Sequence, residues 1–186
     1  MKRPARIVLG VTGSIAAHKA VDIASRLTQS GHEVHVVLTA EAQKFITPLP
    51  FQTLSRHRVV TSLYDEEDWK PLHIRLADEA DLLLIAPATA HTLARLALGL
   101  ADDALSCLAL ALNPDAQVLL APAMNGRMWQ HPATQSHVAT LKNRGADILG
   151  PAEGMLSCGY EGVGRLLEVD AILEKVEACL ASRSPG

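Results

Sequence analysis

"ARIVLGVTGSIAAHKAVDIASRLTQSG" runs from Ala5 to Gly31, and its reading decides the fold. Ala5 to Val11 is a short run rich in β-branched residues, the composition of a strand. A turn holding Gly13 follows. Ile15, Ala16, Ala20, Ile23, Ala24 and Leu27 then recur at helical spacing, and Gly31 supplies a C-cap. Strand, glycine turn and helix form the opening half of a βαβ unit.

The pattern repeats outward. "EVHVVLT" (Glu33 to Thr39) reads as a second strand and "EAQKFI" as a short helix. Pro48 and Pro50 are expected to break the chain after that helix, with one further helical turn in "PFQTLS". Residues 57–72 show no period and carry the charged run "YDEEDWK". "HIRLADEA" is a predicted helix, "DLLLIAPA" a buried strand, and "AHTLARLALG" a helix ending at Gly99. "DALSCLALAL" is another helix, ending near Asn113-Pro114, and "AQVLLAPAM" the next buried strand. "PATQSHVATLKNRG" is a helix capped by Gly145, "ADILG" a short strand, and "EVDAILEKVEACLA" a terminal helix before a loose tail at about 182–186. Gly150 to Leu167 reads as a flexible stretch. Continuous apolar strands alternating with helices predict an α/β fold. The sheet is doubly wound, parallel and Rossmann-like, in three αβα layers and a single domain spanning 1–186. Ligands of such open sheets sit at the carboxyl ends of the strands.

The 186 residues suffice for one domain with a sizeable core. Apolar residues make up 48% and aromatics only 3%, so the core is built from Ala, Leu, Val and Ile. A net charge of −3 gives no sign of a nucleic-acid or membrane-surface partner. Cys107, Cys158 and Cys179 are far apart and never in CxxC spacing. That speaks against a disulfide framework and a structural zinc site, and points to a reducing cytoplasm with no metal expected. Lys2, Arg3 and Arg6 before "IVLGV" faintly mimic a signal peptide, but Thr12, Gly13 and Ser14 interrupt too short an apolar run. No stretch approaches the ~20 apolar residues of a membrane span.

The residues after the strands carry the chemistry. "GVTGSIAA" leads into a helix N-terminus, where free N–H groups and the dipole favour a phosphate. Gly13 permits close backbone approach and Ser14 adds a hydroxyl, although a plain turn with a serine N-cap uses the same residues. The spacing is not GxGxxG, and the second strand ends in Leu38-Thr39 with no acid for a ribose. A mononucleotide is therefore favoured over a dinucleotide, with Thr39 as a hydroxyl. Thr89, in "APATAHT", is either an N-cap or a second phosphate or ribityl contact. Asn125, in "PAMNGRMW", is either a cap or part of a ligand site, in a turn crowded by two methionines and a tryptophan. His73 follows Pro71 at a predicted helix start, where a ring serves structure or faces a cleft. His35 alternates with Val34 and Val36 on a strand. "GMLSCGYEGVGR" (Gly154 to Arg165) places one thiol, Cys158, among four glycines.

"GSIAA", "APATA", "PAMNGRMW" and "CGYEGVGRL" occur in the order and spacing of the homo-oligomeric flavin-containing cysteine decarboxylases. The chain resembles that family from about Ala5 to about Val176, and "PAMNGRMW" fits its P-x-M-N-x-x-M-W signature at every fixed position. The resemblance implies FMN, a flavodoxin-like sheet, and trimers or dodecamers of trimers with the flavin at a subunit interface. It implies that His73 and Cys158 are catalytic, Cys158 on a flap at about 151–167 over the substrate. It implies Asn125, Met124, Gly159 and Arg165 for substrate, and Gly13, Ser14, Ile15, Thr39, Ala88, Thr89 and Asp103 for cofactor. Relatives often carry Asn-Asp where this chain has Asp102-Asp103. They also usually have Met, then an acid and proline, after the Gly-Arg of the flap, where this chain reads "GRLLEVD".

The implied activity is a carbon–carbon lyase reaction in coenzyme A biosynthesis: 4′-phosphopantothenoylcysteine loses CO2 to give 4′-phosphopantetheine. Thiol oxidation, decarboxylation and re-reduction of the enethiol make up the cycle. The alternatives are a peptidyl-cysteine decarboxylase that releases an enethiol and a non-catalytic FMN-binding regulator. Many bacterial relatives are fused to a C-terminal synthetase that joins cysteine to phosphopantothenate. With this sequence ending at Gly186, that activity is expected on another polypeptide or not at all.

Overall fold

A computed structural model of the chain describes residues 4–64, 71–155, 159 and 161–182. β1 (Arg6–Val11) leads through a 3-10 turn (Ile15–His18) into α1 (Lys19–Gln29). β2 (Glu33–Leu38), a 3-10 turn (Ala42–Lys44) and α2 (Pro48–Ser55) follow. α3 (Leu72–Glu79), β3 (Leu82–Ala88), α4 (Ala90–Leu98), α5 (Ala104–Leu110) and β4 (Gln117–Pro122) build the centre. α6 (Gly126–Gln130), α7 (Pro132–Asn143), β5 (Asp147–Ile148), the ribbon β6 (Ala152–Met155) and β7 (Glu161–Arg165), and α8 (Val169–Ser182) complete the chain.

The sheet has the order β2-β1-β3-β4-β5, every pair parallel. β3, at its centre, is buried at every residue, which is why its sequence is apolar without alternation. Successive side chains point to opposite faces. Ile7, Leu9 and Val11 pack with Ile23, Leu27, Ile172 and Val176. Val8 and Ile85 pack with Leu76, Leu93, Leu105 and Val138 on the other face. The chain winds outward in both directions from β1 and β3, so the strand order reverses between them. That junction is where an open sheet leaves a crevice.

Several local expectations are corrected. Pro48 and Pro50 do not break the chain but open the two-turn helix α2. Pro48 sits at its start, where φ already suits a helix and the missing N–H has no partner to lose. Within 57–72, Val60 adds to the sheet edge: its N–H donates to the Val36 carbonyl at 2.9 Å, and the Leu38 N–H donates to its carbonyl at 2.9 Å. The "EAQKFI" helix shrinks to the 3-10 turn, and α6 is a helix the sequence reading did not separate. The 150–167 stretch is an antiparallel ribbon at its two ends rather than a plain loop. Residues 65–70, the tip residues 156–158 and 160, and 183–186 lie outside the described residues.

Candidate functional site at the carboxyl ends of the strands

The tips of β1, β2 and β3 are held together by hydroxyls. Thr12, only 1% exposed, donates to the Pro87 carbonyl at 2.7 Å and accepts the Thr89 N–H at 3.1 Å, fixing the β1 turn against the β3 turn. A Cβ on Gly13 would lie 2.5 Å from Glu41 Cβ, so only glycine lets the turn after β1 pass the turn after β2. Ser14 caps the 3-10 turn, its Oγ accepting the Ala16 N–H at 3.3 Å. Thr39 accepts the Ala42 N–H at 3.2 Å, and Thr89 caps α4 by accepting the Thr92 N–H at 3.3 Å. Each of these side chains takes up one N–H of a helix start, and at the first of them the Ser14 carbonyl also accepts the Ala17 N–H at 2.9 Å.

On the far side, Asn125 caps α6, its Oδ1 accepting the Arg127 N–H at 2.9 Å. The ribbon docks beside it: the Met124 N–H donates to the Gly164 carbonyl at 2.9 Å. A Cβ on Gly164 would collide with the Met124 carbonyl, so any other residue there pushes the ribbon off β4. Arg165 pairs with Glu168, which also meets Lys19 at 3.3 Å. Between α4 and α5, Arg95 bridges Asp102 at 2.8 Å and Asp103 at 2.5 Å, while Asp103 forms a capping box with Ser106. Burial, with the Asp103 and Asp102 charges adding, pushes the adjacent Cys107 thiol up from its ordinary pKa.

These elements enclose a cleft of about 1260 Å³. That exceeds the roughly 300–1,000 Å³ of a single small-molecule site, leaving room for two molecules side by side. Gly13, Ser14, Ile15, Thr39, Thr89, Asp103, Met124, Asn125 and Arg165 all line it. Ala88 lies buried beneath, its carbonyl accepting the Ala123 N–H at 3.1 Å. Gly159 is not part of the lining; it sits with φ +87 in the segment joining β6 to β7. His73, half-buried in the first turn of α3, does not line the cleft of its own chain. Cys158 lies outside the described residues.

The sequence reading missed Thr12, Lys19, His91 and Arg95, of which all but Thr12 line the cleft. Thr12 stands next to Gly13 in the turn already singled out. Arg95 was not readable locally, because the left-handed Gly99 folds the chain back to bring Asp102 and Asp103 to it. The donors suit an anion at a helix start with a hydroxylated chain beside it, and Met124, Met128 and Met155 offer apolar contact for a flat ring.

Residues 1–181 match the model of the Flavoprotein family. A "Probable phosphopantothenoylcysteine decarboxylase" of Streptococcus mutans is 44% identical over 173 residues, covering 92% of this chain and 97% of that one. The "Coenzyme A biosynthesis bifunctional protein CoaBC" of Bacillus subtilis is 42% identical over 179 residues. The chain spans only 44% of that bifunctional protein's length. Among solved structures, a Cys-to-Ser variant of PPC decarboxylase complexed with pantothenoylaminoethenethiol superposes with a TM-score of 0.86 at 30% identity, covering 97% of this chain and 100% of that one.

Proposed function

Because the chain belongs to the Flavoprotein family, we propose that it binds FMN and decarboxylates 4′-phosphopantothenoylcysteine to 4′-phosphopantetheine, in the cytoplasm and within coenzyme A biosynthesis. The observation that carries this is the convergence of the strand-tip hydroxyls, the Asn125 turn and the β6–β7 ribbon on one cleft. FMN fits the residues present: Gly13, the Ser14 hydroxyl and the Ile15 N–H would hold its phosphate, and Thr39 and Thr89 its hydroxylated chain. Bound FMN would supply two-electron redox chemistry, taking two electrons as the substrate thiol becomes a thioaldehyde, whose C=S accepts the electron pair left as CO2 departs, and returning two electrons when the enethiol is reduced.

The chain's own groups do the rest. The Asn125 amide N–H donates to the substrate carboxylate and orients the bond that breaks. The His73 imidazole takes the proton from the substrate sulfur. The Cys158 Sγ–H delivers a proton to carbon when the enethiol is reduced, and a thiol with an ordinary pKa near 8.5 holds that proton at neutral pH. Closure of the ribbon segment over the cleft excludes water. Met124 and Arg165 shape the substrate's side of the cleft, and Gly159 reaches it as the ribbon segment closes.

His73 lies outside its own chain's cleft, and Ile15, Met128 and Met155 stand exposed at the cleft's rim. Both observations support a homo-oligomer, a trimer or a dodecamer of trimers, in which one copy's cleft receives the His73 of a second. A phosphopantothenate–cysteine ligase is the functional partner in this reading, as the bifunctional name of the Bacillus subtilis relative suggests.

The test is anaerobic incubation of the flavin-loaded protein with 4′-phosphopantothenoylcysteine and mass spectrometry of the products. Loss of CO2 alone is expected. Loss of CO2 with two further hydrogens and bleached flavin would move the chain to the enethiol-releasing branch, and unchanged substrate would refute the decarboxylase reading.

A further inference from the structure

A second cluster of reactive side chains lies at the other end of the sheet. Glu33 and His35 are two apart on β2, so both point to the face that Arg6 of β1 shares. Their register sets them opposite Arg6 and Val8. His57 arrives from a distant part of the sequence. α2 is capped by Arg56, whose φ of +62 is the only left-handed non-glycine backbone among the described residues. That conformation is unfavourable for an arginine, and it turns His57 onto His35 with ring centroids 4.2 Å apart and planes 31° apart. One ligand atom from each of Glu33, His35 and His57 lies within 4.8 Å of the other two.

We propose that Glu33, His35 and His57 form a binding site for a divalent ion of the zinc class, unrelated to the decarboxylase cleft. Two imidazoles and one carboxylate with a fourth position for water is a donor set that zinc accepts. Donors about 2.0–2.1 Å from a tetrahedral ion stand roughly 3.3 Å apart, so the His35 Nε2 to Glu33 Oε1 distance of 2.9 Å opens only slightly to admit one. The ion replaces the hydrogen shared between those two atoms.

The surroundings suit a cation. Arg6 holds the other Glu33 oxygen at 2.9 Å, the orienting contact that ligating carboxylates commonly have. The arginine's charge opposes the ion, but Glu79 and Asp81 offset it: Arg6 also pairs with Glu79, and the Asp81 carboxylate accepts the Arg6 backbone N–H at 2.8 Å. With one cation and three carboxylates, the group carries a net charge of −2.

β2 runs roughly 17 Å from Glu33 to the strand tip at about 3.3 Å per residue, so the ion takes no part in the decarboxylation. Its role is to clip the segment after α2 to the edge strand.

The test is zinc titration of the flavin-loaded protein by calorimetry, with Tm read at each zinc concentration and cobalt as an optical probe. One equivalent is expected to bind, with a Tm rise, and His57→Gln is expected to weaken it at least about tenfold while leaving decarboxylation unchanged. His35→Gln serves as the second variant should the first fold poorly. Absence of binding overturns the proposal. So does equal binding by both variants, or a cobalt spectrum showing thiolate ligation, which would place the ion on a cysteine.

Discussion

At the amino end of the sheet, Asp81 is 4% exposed and its carboxylate accepts the Arg6 N–H at 2.8 Å. Its backbone continues the seam, donating to the Arg6 carbonyl at 2.8 Å and accepting the Gln117 N–H at 3.1 Å. Arg6, Glu33 and Glu79 close a charged network around it. At the carboxyl end the polar groups are short side chains at the tips of strands, Ser14, Thr39, Thr89 and Asn125, and each caps one turn while facing a cleft. Around Asp81 the amino end uses its polar groups to join strands, whereas the strand tips at the carboxyl end keep theirs facing a cleft. Substitutions at the two ends should therefore separate stability from catalysis.

The largest effect is expected at the carboxyl end. His73→Asn and Asn125→Asp should each lower kcat by about 10²–10⁴-fold. Their Tm and flavin absorbance should match the parent protein, as checked by steady-state assays beside thermal melts. Asp81→Asn should do the reverse. It weakens a buried charge-assisted bond at a cost of about 1–3 kcal/mol, or about 3–10 °C in Tm, with activity per folded molecule within about twofold. Thr12→Val removes the two bonds that join the β1 and β3 turns. It should weaken FMN about tenfold, measured by fluorescence titration, while lowering Tm less than Asp81→Asn does.

The smallest effect concerns Cys107. Burial and the two aspartates hold its proton, so the thiolate appears at higher pH than in the unfolded chain. Stability from this group is complete below the unfolded thiol's pKa and is lost as pH rises through the folded one. Alkylation of Cys107, followed by peptide mass spectrometry against pH, should show a late midpoint that Asp102→Asn brings earlier.

Strands and helices were legible in the sequence because burial imposes a period. The unbroken "DLLLIAPA" is buried at every residue of β3, and α1 buries Ala20, Ile23, Ala24 and Leu27 on one face. The strand-tip residues of the cleft, Ser14, Thr39, Thr89 and Asn125, were legible because they follow strands. The features that escaped were non-local or balanced between two conformations. Pro48 reads equally as a breaker or a helix start until the chain around it is placed. The ribbon of β6 and β7 has glycines at Gly154, Gly162 and Gly164, which weaken any strand pattern, and its position depends on the Met124 contact. Arg95 needed the Gly99 turn, and His57 needed the end of α2, to meet partners far along the chain. His73 was named as catalytic only through the family resemblance, because its proposed partner cleft belongs to another copy.

The most direct test of that shared cleft is a mixing experiment. His73→Asn and Asn125→Asp chains, each inactive alone, are co-expressed with different tags, and the mixed oligomer is purified with FMN and assayed. If clefts receive His73 from a second copy, an intact cleft of the first variant meets an intact histidine of the second, and decarboxylation should return well above either parent. Mixed oligomers no more active than the parents would show that His73 serves only its own chain and would contradict the shared site.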